Sequence, residues 1–166
     1  EKLWRANPQP AEQSPVYNFK YTLFSPNRKI LCYNTAMRVI PLHVHSHWSL
    51  LDGTASVPDL VAFAHAAELP ALALTDSNAL YGAMEFVSEC RNVGIAPILG
   101  TELNLAGGYS ILLLAQNMQG YGNLCRLITR LQASPDREAA LARGIALTEL
   151  AQHTDGLIAL SGGWRG

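Results

Sequence analysis

The sequence predicts an α/β domain built on a mostly parallel sheet, either open or closed into a barrel. Three observations carry that expectation. Short apolar runs with a β-branched and aliphatic bias recur between residues 39 and 160, and they read as strands buried on both faces. Segments with apolar residues at three- and four-residue spacing lie between them, as crossover helices between parallel strands would. Polar residues then follow each later run at its C-terminal side: Thr75-Asp76-Ser77 after "ALAL", Thr101-Glu102 after "PILG" and Ser161 after "LIAL".

The elements follow in order. Residues 1–36 carry Pro8, Pro10, Pro15 and Pro26 among polar residues, and only "VYNFKYTLF" at 16–24 alternates well enough for a strand. They read as a loosely ordered extension with a hairpin signal at "SPNRK". "VIPLHVH" at 39–45 is a short strand. Ser56, followed by Pro58 and Asp59, opens a helix with capping-box spacing whose inner face is Leu60, Val61, Ala64 and Ala67. "ALALT" at 71–75 is a buried strand. A second helix runs from about Leu80 to Val93 on Leu80, Ala83, Met84 and Val87, with Gly94 placed to end it. "IAPILG" at 95–100 and "SILLLA" at 110–115 are further strands, with "GGYS" at 107–110 a turn that lacks the spacing and lysine of a phosphate loop. Leu124, Leu127, Ile128 and Leu131 share one helical face. Ser134 and Pro135 start a shorter helix that Gly144 ends, Thr148 caps another, and "GLIAL" at 156–160 is the last strand.

Composition bounds the function. At 166 residues, 49% hydrophobic and 15% charged, the chain has ample material for one core. A net charge of −1 leaves no basic footprint for autonomous nucleic-acid binding. Cys32, Cys90 and Cys125 lie far apart with no Cys-x-x-Cys pair, which fits free thiols in a reducing cytoplasm. "ILLLA" at 111–115 is far too short to span a bilayer, so no membrane contact is expected.

The chemistry concentrates in "PLHVHSHWSLLDG" at 41–53. His43 and His45 are two apart, so on an extended strand both imidazoles leave the same face, and His47 joins them if the strand continues. Converging imidazoles suit a divalent transition metal. In parallel α/β folds ligands gather at the C-terminal ends of the strands, which would bring His43, His45, Asp52, Asp76 and Glu102 to one pocket. Mixed His and carboxylate ligation favours Zn, Mn or Fe over Ca. Each residue also has a plain structural reading: Asp52 as an Asp-Gly turn, Asp76 as a helix cap, Glu102 as a solvated strand end. His65 and His153 read as surface or helix-end residues, and Trp48, Tyr81 and Tyr121 as core or rim aromatics.

Five blocks, "LHVHSHWSLLDG", "ALALTDSNALYGAMEF", "GIAPILGTEL", "LLLAQNMQGYGNLCRLIT" and "DGLIALSGG", occur in an order and spacing that resemble the N-terminal polymerase and histidinol phosphatase (PHP) domain of bacterial DNA polymerase III alpha subunits. The resemblance covers about Met37 to Gly166. It implies that 37–166 is the N-terminal portion of a distorted, TIM-like β/α barrel of parallel strands, and that residues 1–36 are an upstream or extension segment. "MRVIPLHVHS" looks like a natural start for such a chain.

Carried over by position, the resemblance assigns metal ligands to His43, His45, Asp52 and Glu102, with Asp76 as a supporting residue and His47 at no ligand position. Three positions depart from the family pattern. Ser77 and Ser110 stand where histidines are usual, and Gly163 where many active members have cysteine. A hydroxyl is a poor replacement for imidazole on Zn or Mn, so the expected site is partly degraded, holding Zn or Mn, or else Mg. The implied parent is a replicative or translesion DNA polymerase, a nucleotidyltransferase whose catalytic residues lie elsewhere in the chain. This segment would support the polymerase body, dock a proofreading exonuclease subunit and meet DNA through the parent, in the cytoplasm. Two alternatives stand beside that: a retained metal-dependent phosphoesterase or 3′–5′ exonuclease activity, and a free-standing small-molecule phosphatase.

Overall fold

The computed structural model describes residues 39–161. The extension expected over 1–36, and the departure at Gly163, lie outside the described residues. Helix α1 (Val57–Ala66) leads to strand β1 (Ala71–Leu74), helix α2 (Ala83–Val93) and strand β2 (Ala96–Leu105). Strand β3 (Tyr109–Ala115), helices α3 (Met118–Gln132), α4 (Arg137–Arg143) and α5 (Leu147–Leu150), a 3-10 turn (Ala151–His153) and strand β4 (Leu157–Ser161) complete the described order.

The four strands form one sheet in the order β1-β2-β3-β4. Its mixed pairing corrects the expectation of parallel strands. β1 and β2 are parallel, with Leu72 opposite Pro97 and Leu74 opposite Leu99, whereas β2 with β3 and β3 with β4 are antiparallel. The reason lies in chain length: only residues 106–108 separate β2 from β3, and a parallel partner needs a crossover of about a dozen residues or more. Gly107 and Gly108 take φ of +95° and +84° in that turn, the left-handed region that a side chain disfavours. β3 therefore runs against the other three strands.

Residues 39–45 also differ from the strand expected there. The segment lies along β1, with Ala73 N–H donating to Pro41 O at 3.2 Å and Thr75 N–H to Val44 O at 2.8 Å, but it forms no ladder. The Thr75 hydroxyl takes the return bond instead, accepting from Val44 N–H at 2.8 Å. That side-chain clamp holds the segment between the two histidines.

Two apolar clusters fill the interior. Val57, Val61 and Ala64 of α1 pack with Leu72, Leu74, Phe86, Val87 and Cys90. Leu103, Leu105 and Leu113 pack with Leu124, Leu127, Ile128 and Leu131 of α3. Leu80 and Tyr121 touch both clusters. The α3 stripe matches the sequence spacing. On α1, Val57 takes the inner position expected of Ala67, which is exposed, and on α2 Met84 is exposed while Phe86 and Cys90 point inward. Thr148 lies inside α5, whose N-cap is Ala146 with no side-chain hydrogen bond. The N-caps that form do so through Ser56, Asn117 and Asp136.

Cys90 is fully buried, and burial together with the neighbouring Glu89 pushes its thiol up to about 11. The thiolate is the reactive form, so Cys90 is expected to resist iodoacetamide at pH 8 until the protein is denatured. Peptide mapping after native labelling checks this; modification of Cys90 as fast as the partly exposed Cys125 would show that α2 does not stay packed.

No helix among the described residues is long and apolar enough to cross a membrane.

Candidate metal site

Strand β2 sets the geometry. Its side chains alternate, so Thr101, Leu103 and Leu105 are buried while Glu102 and Asn104 face the other side. Glu102 N–H donates to Thr75 O at 3.3 Å and Glu102 O accepts from Asn78 N–H at 2.8 Å, which ties this point of β2 to the chain leaving β1. The segment clamped along β1 then delivers His43 and His45 to the same place.

Three ligand atoms converge. His43 Nε2 lies 3.0 Å from His45 Nε2, and Glu102 Oε2 lies 3.1 Å and 3.2 Å from the two nitrogens. The His45 and Glu102 side chains are 13% and 18% exposed, against 42% for His43, so the triangle is lodged in the fold and opens on the His43 side. Ions of the Zn class take nitrogen and oxygen at about 2.0–2.2 Å, so adjacent donors on one ion stand roughly 3 Å apart. The spacing fits one cation held by two neutral imidazoles and one carboxylate. Among the described residues this is the one group of three or more such side chains placed to hold a metal ion.

The carboxylate is prepared for that work. Burial pushes the Glu102 carboxyl up, but hydrogen bonds from Ser110 and His43, and attraction to the His43 and His45 rings when these carry a proton, outweigh it, and the group sits below its ordinary value. Glu102 is therefore ionised through the neutral range.

The other expected site residues divide. Asp52 is exposed and lines the same cleft of about 550 Å³, outside the triangle. Ser77 also lines the cleft, and its N–H donates to Ser49 Oγ at 3.0 Å. Ser110 lines it too, with its hydroxyl donating to Glu102 Oε1 at 2.6 Å. Asp76 is 1% exposed and is not among the cleft-lining residues. Its carboxylate accepts from Ser46 N–H at 2.7 Å, from the Ser46 hydroxyl at 2.9 Å and from the Ser49 hydroxyl at 2.7 Å. Asp76 thus holds the loop that leaves His45. His47 is exposed, its ring 4.9 Å from that of Trp48, and it is not part of the triangle.

Sequence reasoning missed Asn104 and Tyr109, both on the cleft wall. Asn104 was findable, because two residues after Glu102 on a strand puts it on the same face. Tyr109 was not, because its place depends on the β2–β3 turn.

Comparison with known proteins adds the family. The model of the PHP domain matches residues 41–166. An error-prone DNA polymerase of Symbiobacterium thermophilum is 46% identical over 143 residues, which is 78% of this chain and 13% of the relative. A DNA polymerase III subunit alpha of Chlamydia pneumoniae is 41% identical over 140 residues, 76% of this chain and 11% of the relative. The chain therefore spans about an eighth of the length of the curated relatives it matches. Among solved structures, a protein described as a metal-dependent phosphoesterase, from Bifidobacterium adolescentis, aligns at a TM-score of 0.46 and 22% identity, covering 59% of this chain and 34% of the other.

Proposed function

The chain belongs to the PHP domain family, and on that premise we propose that it is the PHP portion of a DNA polymerase III alpha-like chain, holding one divalent cation on His43, His45 and Glu102 and serving mainly as scaffold. The observation that carries the cation is the triangle of Nε2, Nε2 and Oε2 at 3.0–3.2 Å. The parent is supported by the two polymerase relatives. In that parent, residues 1–36 are an upstream segment, 37–166 the first part of a distorted barrel that later strands complete, and the outer edge of β4 is where they would add. DNA, a proofreading exonuclease subunit and a cytoplasmic setting belong to that whole polymerase.

A Zn, Mn or Mg ion bound here would supply Lewis acidity to a phosphoryl oxygen and a more acidic bound water. The chain's own residues hold the site's shape. His43 and His45 present neutral nitrogens, Glu102 supplies the negative charge, and Asp52 on the cleft wall is the remaining carboxylate within the same space. Ser77 and Ser110 bring hydroxyls where a larger cluster would need imidazoles, which is why a single scaffolding cation is the preferred reading over phosphoester hydrolysis.

Metal analysis of the full chain, wild type beside His43→Ala, tests this. The expected result is about one equivalent of Zn or Mn lost in the variant, with affinity reduced by more than the roughly 10- to 100-fold typical of losing only an outer partner of a ligand. Equal metal content in both would overturn the cation. Metal-dependent release of nucleotides from a 3′ end, abolished by His43→Ala, would replace the scaffold reading with the exonuclease one.

A further inference from the structure

We propose that Ser110 is a positioning residue of the cation site: its hydroxyl holds Glu102 through Oε1 and reserves Oε2 for the ion. The inference rests on the cation reading above and deepens it.

The sheet register makes the contact. In the β2–β3 pair Glu102 is opposite Leu112 and Asn104 is opposite Ser110, so Glu102 and Ser110 share one face as diagonal neighbours. Diagonal positions on an antiparallel pair stand about 7–8 Å apart, within reach of a long side chain such as glutamate. Glutamate spans most of that gap and the short Ser110 side chain closes it, with Oγ 2.6 Å from Oε1. Because Ser110 sits in the ladder, its Cβ is fixed by the backbone and only the hydroxyl torsions remain to be set.

The two carboxylate oxygens are divided cleanly. Oε1 accepts from Ser110, whereas Oε2 faces both histidine nitrogens. The last torsion of glutamate is broad and nearly two-fold, so the side chain does not choose between its oxygens unaided. Asn104, the other polar residue on this face of the β2–β3 pair, is committed elsewhere: its amide Nδ2 donates to Leu141 O at 3.1 Å. Ser110 therefore makes the distinction, presenting Glu102 as a one-oxygen ligand. Outer partners of this kind typically contribute about 10- to 100-fold in metal affinity.

The test is cobalt(II) titration of the full chain, read by visible absorption and corrected by subtracting the signal that His43→Ala retains. Ser110→Ala is expected to bind about 10- to 100-fold more weakly. Its cobalt absorption should also fall, because a freed Glu102 can offer both oxygens and raise the coordination number. Ser110→Thr keeps a hydroxyl at the same Cβ and should recover both affinity and spectrum. Unchanged affinity and spectrum in Ser110→Ala would overturn the role of Ser110 while leaving the cation site standing, and so would a threonine variant as weak as alanine. A wild-type signal no larger than that of His43→Ala would overturn the cation reading and this inference together.

Discussion

Replacing Asp76 with alanine is expected to lower the stability of the domain by about 3 kcal/mol and to weaken cation binding without touching a ligand. The carboxylate is buried and accepts from one backbone N–H and two hydroxyls, all on the loop that follows His45. Alanine would leave those three buried donors without their acceptor, and each buried unsatisfied group costs about 1–3 kcal/mol. Removal of the desolvated charge offsets part of that sum. Within the loop Ser49 O collects the N–H groups of Asp52 and Gly53 at 3.0 Å and 2.9 Å, and Asp76 ties that turn to the end of β1 through Ser46 and Ser49, beside the bond from Ser77 N–H to Ser49 Oγ and that from His47 N–H to Ala55 O. Urea unfolding of a chain carrying the whole domain gives the stability, and hydrogen exchange over residues 44–53 locates it. Asp76→Asn keeps an acceptor oxygen and should lose roughly half as much, because the serine hydroxyls can rotate to accept from the new amide. A change in Asp76→Ala below about 0.5 kcal/mol, the range of ordinary surface substitutions, would show that the loop is held by something else.

Much of this was legible in the sequence, and the boundary of legibility has physical causes. Helical spacing identified the inner face of α3 because four large aliphatic residues leave only one face to bury. The same reasoning misassigned Met84 and Ala67. A flexible thioether or a methyl group can sit on either side of a helix boundary, and the packing of Phe86 and Val57 decides. Strand direction was not legible from composition: "SILLLA" reads alike in either orientation, and only the shortness of the link through Gly107 and Gly108 argues for reversal.

At the site, period-two alternation was enough to pair His43 with His45, and the habit of strand ends to converge brought Glu102 to them. What alternation cannot supply is register. Ser110 reads as a lost ligand when counted along the chain, and as the donor to Glu102 only once Asn104 is known to lie opposite it. Asp76 shows the complementary case, a carboxylate placed near the site by sequence whose partners, Ser46 and Ser49, are hydroxyls with no sequence signature of their own.

Two glycines in one helix should respond oppositely to the same substitution. Gly120→Ala is expected to destabilise by about 3 kcal/mol or more, whereas Gly122→Ala should be neutral or stabilise by up to about 1 kcal/mol. A Cβ on Gly120 would stand 1.9 Å from Gly156 O, a backbone atom that cannot swing away. That carbonyl also accepts from Gln116 N–H at 2.9 Å, and Asn117 Oδ1 caps α3 through Gly120 N–H at 3.0 Å, so the start of α3 and the turn entering β4 form one joint. Relief of the clash would have to open that joint, giving up the cap and the close docking together. On Gly122 the added methyl meets only the end of the Arg126 side chain at 3.4 Å, which can move, and the helix gains the lower backbone entropy of alanine. The consequence reaches the site through the sheet: β4 is the partner of β3 from Ile111 to Ala115, directly beside Ser110. A loosened β4 therefore predicts weaker cobalt binding in Gly120→Ala and unchanged binding in Gly122→Ala. Equal stabilities for the two variants would mean that α3 does not dock on Gly156 as closely as the backbone positions require.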